Sequence, residues 1–224
     1  MYKRQVLEAL YSTPAGKNTI VIVLADHGDG MGSHRMVTKQ VSFYEEMTNV
    51  PFIIAGPGIH PRQKPVEDLL TQPTIDLLPT LCELAGIPVP SSKPGISLAP
   101  FLKGEKQKRQ HPYAASEWHS EYEVTVSPGR MIRSPRYKYT HYLEGNGEEL
   151  YDMLKDKGER RNLAHDPKYS KILAEHRALL DDYIRRTQDD YRSLKVEADK
   201  RWRSHAPGYP NHEGPCARDI INRK

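Results

Sequence analysis

Residues 19–25 read TIVIVLA and run straight into Asp26-His27-Gly28. Seven apolar, largely β-branched positions without alternation do not describe a strand with one wet face. They describe a strand buried on both faces of a mostly parallel sheet. In open α/β sheets, ligand-binding residues stand just beyond the carboxyl ends of strands. Asp26 and His27 occupy that point, and Gly28, Gly30 and Gly32 let the backbone turn tightly behind them. Asp and Gly are also ordinary turn formers, so the triplet alone leaves a plain turn open.

The rest of the chain divides around this strand. Residues 6–10 read as the end of a helix, closed by Pro14 and Gly16. Residues 41–47 suit a short helix or turn, residues 51–55 a second strand, and residues 56–64 a surface loop. Ile75, Leu78, Leu81, Leu84 and Ala85 recur at helical spacing, and Gly86-Ile87-Pro88 ends that helix. A short helix over 97–102 stops at Gly104. Beyond residue 105 the pattern changes to strand-like pieces at 113–118, 129–133, 137–142 and 149–153, which predict an antiparallel meander. Asp166-Pro167 caps a final helix reaching about Arg186, with Ile172, Leu173, Leu179, Leu180 and Ile184 on its apolar stripe. The expected division is therefore residues 1–104, residues 105–190 and a polar, irregular tail over 191–224.

Composition limits the options. A hydrophobic content of 37% and a mean hydropathy of −0.72 are low for a self-contained α/β domain. They fit a piece whose sheet other strands complete. The net charge of +4, from 33 basic and 29 acidic residues, argues little about partners, and no nucleic-acid motif accompanies it. Arg130, Arg133, Arg136 and Lys138 cluster on the predicted meander. They read either as an attractor for a sulfated glycan or as a solvated sheet face. Cys82 and Cys216 define no disulfide framework, and Cys82 falls in an apolar pattern that suits a buried, inert thiol. No apolar run approaches the roughly 20 residues of a membrane span.

Five blocks, in order, resemble the C-terminal half of type I sulfatases in the alkaline phosphatase superfamily. They are Asp26-His27-Gly28; Gly32-Ser33-His34 leading to Lys39; Asn49-Val50-Pro51-Phe52-Ile53-Ile54 with Gly56-Pro57-Gly58; Asp76-Leu77-Leu78-Pro79-Thr80 with Leu84-Ala85-Gly86; and Glu149-Leu150-Tyr151-Asp152 with Glu159-Arg160 and Asn162-Leu163-Ala164. The resemblance implies an α/β fold: the C-terminal part of a mostly parallel sheet flanked by helices, plus a small antiparallel-sheet subdomain with a terminal helix. It implies a hydrolase of sulfate esters on a sulfated carbohydrate, located in the periplasm, outside the cell or in the lysosome. It implies one divalent cation, Ca²⁺ or else Mg²⁺, held in part by Asp26 and His27. Imidazole suits transition metals better than Ca²⁺, so His27 is read either as a ligand or as a catalytic group hydrogen-bonding sulfate. Lys39 is the implied catalytic and sulfate-contacting cation, His34 a substrate contact or a support for its loop, and Trp118 with His119 a border of the sugar pocket.

The family's nucleophile, a formylglycine made within Cys/Ser-x-Pro-x-Arg, is not encoded here. Cys82 and Cys216 stand in other contexts, and Ser12-Thr13-Pro14 and Ser92-Lys93-Pro94 lack the Arg. The expectation is a C-terminal portion that is inactive by itself. Two rival readings remain: a phosphodiesterase or phosphonate hydrolase of the same superfamily, and a non-catalytic module binding sulfated glycans.

Overall fold

The computed structural model describes residues 2–36, 42–66, 69–92, 94–107, 110–118, 128–143 and 147–194. Helix α1 (Tyr2–Tyr11) buries none of its residues. Strand β1 (Val21–Leu24) pairs with β2 (Phe52–Ala55), and between them lies the single-turn helix α2 (Glu45–Thr48). The two strands run antiparallel, Val21 opposite Ala55 and Leu24 opposite Phe52, where the apolar run had suggested a parallel neighbour. An unbroken apolar run specifies two faces to cover but not the direction of the partner strand. Nor is the strand deeply buried: Leu24 is 38% exposed and Ile53 on the facing strand 57%.

Helix α3 (Pro73–Leu84) buries a face that the periodicity did not indicate. Leu78 and Leu81 are largely exposed, whereas Asp76, Thr80 and Cys82 are buried. Polar groups decide the orientation. The Asp76 carboxylate accepts hydrogen bonds from the Gln72 and Ile96 amides at 2.7 and 2.8 Å and meets His111 Nε2 at 2.7 Å. Thr80 Oγ1 accepts from the Leu98 amide at 2.9 Å. A buried carboxylate is costly without hydrogen-bond partners, and the bonds to Ile96 and Leu98 pin the helix to the segment leading into α4 (Ala99–Leu102).

The second half is a four-stranded antiparallel meander in the order β3 (Ala114–Trp118), β4 (Gly129–Arg133), β5 (Tyr137–Tyr142), β6 (Gly147–Asp152). The predicted strands match closely. Helix α5 (Ser170–Thr187) follows, preceded by a turn in which Asp166 accepts from the Lys168 amide at 3.1 Å. Leu173 and Leu180 of this helix pack with Tyr113, Ile132, Tyr139, Leu150 and Leu163 into one core.

Two of the four cations in the basic cluster on the meander are buried, and the Arg136 side chain is 44% exposed. Arg130 is 3% exposed and Lys138 1%. Arg130 forks onto Asp189, with Nε to Oδ2 at 2.7 Å and Nη2 to Oδ1 at 2.9 Å, and Arg136 holds Asp152 at 2.7 Å. Both faces of β4 and β5 are covered, so Arg130 and Lys138 have acquired carboxylates instead of water.

His176 on α5 is 4% exposed, with Nδ1 at 2.8 Å from the Ile172 carbonyl and Nε2 at 2.9 Å from Ser134 Oγ. Burial lowers its pKa below the ordinary histidine value. The folded state thus refuses a proton that the unfolded chain accepts. Its contribution to stability is complete above about pH 6.5 and declines as pH falls from there toward the lowered folded value. Thermal melts across that interval should show the decline, and His176→Gln should flatten it; equal slopes for both proteins would contradict this.

Candidate functional site

β1 delivers Asp26 and His27 to its carboxyl end, and the backbone behind them is fixed from two sides. The Gly28 amide donates to the Met47 carbonyl of α2 at 2.9 Å. A Cβ on Gly28 would lie 1.7 Å from the Glu46 carbonyl oxygen, so only glycine permits this approach. His27 Nδ1 stands 2.7 Å from the Gly28 carbonyl. A carbonyl only accepts, so Nδ1 carries the proton and Nε2 presents its lone pair. That Nε2 is 3.6 Å from Asp26 Oδ2, on a carboxylate whose side chain is 87% exposed. The Asp26 side chain also accepts from the His27 amide through Oδ1 at 3.0 Å. One hard oxygen and one oriented imidazole nitrogen therefore converge on a single open point. The donor set fits a divalent cation, with the coordination sphere needing further ligands.

His34 lies elsewhere in this neighbourhood. Its ring stacks on Tyr44 with centroids 3.7 Å apart and planes 1° from parallel. Its Nε2 is 3.9 Å from Glu46 Oε2. The turn that carries it is strained: Met31, His34 and Arg35 have φ of 47°, 49° and 63°. Left-handed non-glycine residues cost of order 1–3 kcal/mol each and persist where surrounding contacts impose them. Burial and the Glu149 carboxylate hold the Tyr44 hydroxyl far above the usual tyrosine range, so it stays a neutral phenol.

Ligand atoms of His34, Glu46 and Glu159 fall within 4.8 Å of one another. Positive charge already reaches the Glu159 end of this group, whereas Glu46 Oε2 is buried without a hydrogen-bond partner among the described residues. Lys138 Nζ lies 2.9 Å from Glu159 Oε1 and 2.6 Å from Glu45 Oε1, and it donates to the Phe43 carbonyl at 2.9 Å. Glu159 Oε2 accepts from the Glu45 amide at 2.7 Å. The ammonium already supplies the positive charge. Burial nonetheless raises the Glu159 pKa above the ordinary carboxylate value, against the opposing pull of Lys138.

The structure brings Asp26 and His27 together and places His34 against Tyr44 and Glu46. Trp118 ends β3 opposite Gly129, and its carbonyl accepts from Arg130 Nη1 at 2.9 Å. Lys39 and His119 lie outside the described residues. Tyr44 and Glu46 escaped the sequence reading, which named Lys138 only within a basic cluster and Glu159 only within a family block. Glu45 and Glu159 are 114 positions apart, and nothing in local spacing announces their contact.

The α/β scaffold with its antiparallel subdomain and terminal helix has known relatives. The C-terminal family of N-sulphoglucosamine sulphohydrolase matches residues 32–186, and the chain belongs to this sulfatase family. It is 77% identical over 219 residues to the Delta 4,5-hexuronate-2-O-sulfatase of Bacteroides thetaiotaomicron, covering 98% of this chain and 46% of that protein. A solved 2-O GAG sulfatase superposes with a TM-score of 0.86 at 77% identity, over 96% of this chain and 46% of the other. The phosphonate monoester hydrolase of Agrobacterium radiobacter shares the fold at 26% identity and a TM-score of 0.66, over 80% of this chain and 37% of the other. The fold is thus the alkaline-phosphatase-like fold of the sulfatases, and the chain spans about half the length of the curated relative it matches. A divalent metal belongs to this family's chemistry.

Gly28→Ala should separate the turn from α2, because a Cβ 1.7 Å from a backbone oxygen cannot be accommodated by side-chain movement. Overpacking of this kind costs about 1–3 kcal/mol. Chemical denaturation of both proteins measures it, and an unchanged midpoint would show that the close approach does not exist.

Proposed function

We propose that this chain provides the metal-binding turn and the C-terminal subdomain of a sulfatase that removes a 2-O-sulfate from an unsaturated hexuronate of a glycosaminoglycan fragment. The observation that carries the reading is the Asp26–His27 pair: an exposed carboxylate oxygen and an imidazole nitrogen 3.6 Å apart, the latter set by its bond to Gly28. The 77% identity with a hexuronate-2-O-sulfatase supports the substrate class, and the much lower identity with a phosphonate hydrolase favours sulfate over phosphonate.

Asp26 and His27 would hold the cation, with Ca²⁺ the first choice because a carboxylate oxygen is a hard donor. The metal, when bound, supplies positive charge where negative charge builds on the sulfuryl oxygens. The side chains of this chain do the rest of their share by position. Asp26 contributes a fixed oxygen. His27 contributes Nε2, its tautomer kept by the Gly28 carbonyl. Lys39 places an ammonium against the sulfate or the departing sugar oxygen. His34, held between Tyr44 and Glu46, supports the loop that leads to Lys39 and lies beside substrate. Trp118 and His119 border the sugar, where an indole face suits a pyranose ring. The enzyme would work outside the cytoplasm, an expectation that rests on the family resemblance alone.

The nucleophile is not among these 224 residues, as no Cys or Ser stands in the formylglycine context. A glycan-binding module without hydrolysis draws little support, since Arg130 and Lys138 are buried and neutralised.

The test joins the first half of the thetaiotaomicron relative to this chain. The hybrid should release sulfate from a 2-O-sulfated unsaturated hexuronide, and the 224-residue chain alone should not. Asp26→Ala should abolish Ca²⁺-dependent turnover. Lys39→Ala should lower kcat/KM on the order of 10²-fold, typical of losing one preorganised electrostatic partner, and leave the melting temperature nearly unchanged. Lys39→Arg should not restore it, because a planar fork does not replace a compact ammonium. A hybrid that folds, binds Ca²⁺ and still hydrolyses only phosphonate esters would decide for the rival chemistry.

A further inference from the structure

We propose that Lys138, on the C-terminal meander, is a positioning residue for the Asp26–His27 turn and acts through helix α2. An unbroken series of contacts joins them. The Lys138 ammonium is 1% exposed and gathers three groups of one short segment and its neighbour: the Phe43 carbonyl at 2.9 Å, Glu45 Oε1 at 2.6 Å and Glu159 Oε1 at 2.9 Å. Glu159 closes the loop by accepting from the Glu45 amide at 2.7 Å. That amide belongs to the first turn of α2, where a carboxylate partner is favoured. Phe43 is held a second time, its ring against Gly129 of β4, where a Cβ would sit 2.6 Å away. Two residues beyond Glu45, the Met47 carbonyl accepts from the Gly28 amide at 2.9 Å, and the Gly28 carbonyl in turn meets His27 Nδ1 at 2.7 Å.

Beside the ion pairs of Lys138 with Glu45 and Glu159, the series is fastened to backbone at the Phe43 carbonyl, the Glu45 amide and the Met47 carbonyl, so a displacement at Lys138 is not absorbed by side-chain rotation alone. It moves α2 as a unit, and with it the one carbonyl that holds Gly28. A ribbon of two strands with partly exposed faces offers little independent resistance. The antiparallel subdomain therefore does more than border the substrate: it sets where the histidine nitrogen sits. The positioning itself rests on the contacts alone; its consequence for the metal rests on the sulfatase reading.

Amide hydrogen exchange on the 224-residue chain tests the first part. Lys138→Met should speed exchange at Gly28 by about tenfold or more, the signature of a local opening. Leu180→Val, which weakens the α5 core without touching this series, should lower the melting temperature and leave Gly28 exchange unchanged. Should Lys138→Met fail to fold, Glu45→Gln is the milder variant: its carboxylate is 27% exposed, and Lys138 keeps Glu159 and the Phe43 carbonyl. It should speed Gly28 exchange by a smaller factor. Gly28 exchange equal to the parent chain in these variants, or equally fast in Leu180→Val, would overturn the proposal. In the hybrid enzyme, calorimetry with Ca²⁺ should show weaker binding for Lys138→Met, and faster Gly28 exchange with unaltered Ca²⁺ affinity would overturn it as well. If Asp26→Ala leaves Ca²⁺ binding intact, the metal assignment falls instead, and the exchange result still stands or falls by itself.

Discussion

An ammonium group removed from water is the constraint around which this molecule is arranged. Lys138 is buried near the start of β5, and moving such an ion out of water is costly unless its partners are complete. Two carboxylates and a carbonyl surround it, drawn from residues 43, 45 and 159. Removing one partner from a buried pair typically costs about 3–5 kcal/mol, because the other charge is then stranded. The sequence segments that meet at Lys138 are therefore obliged to meet. The same logic repeats on a smaller scale, where Arg130 of β4 pairs with Asp189 and stacks over the Tyr191 ring at 4.5 Å. The meander is a sheet whose cations act as internal fasteners.

That arrangement explains which parts of the fold were legible. The strands of the meander were readable as short strand-like pieces, and α5 because the 3.6-residue stripe records burial directly, with Leu173 and Leu180 where the stripe put them. The Asp166-Pro167 cap was readable because its chemistry is local. The orientation of α3 was not, since Asp76 and Thr80 turn the helix by bonding to Ile96 and Leu98, twenty and eighteen positions away. The pairing direction of β1 was not, because a run of apolar residues looks the same beside either kind of neighbour. The charged face of the meander misled for a related reason: a Lys or Arg on alternate positions looks solvated until the distant acid that neutralises it is known.

At the site, the division falls along the same line. Asp26 and His27 were visible because strand end and donor type coincide in adjacent residues. The tautomer of His27 depends on one bond to Gly28, and the placement of Gly28 on Met47, neither of which a motif states. His34 was picked out by the loop pattern, yet its surroundings of Tyr44 and Glu46 emerge only when the chain returns from α2.

The β1–β2 ribbon carries one more implication. Strand pairing has a period of two, so a slip of a single residue reverses every side chain. Here the pairing of Val23 with Ile53 and Leu24 with Phe52 decides on which side Asp26 emerges. Short apolar strands specify that alignment weakly, since isoleucine and valine fit opposite one another in several ways. Gly56 removes the ambiguity: with φ at 146° it lies so close to Ile20 that a Cβ would come within 2.8 Å of the Ile20 Cα. This one glycine acts as a stop at the far end of the ribbon, and the face on which the acidic side chain emerges at the near end is indexed from it.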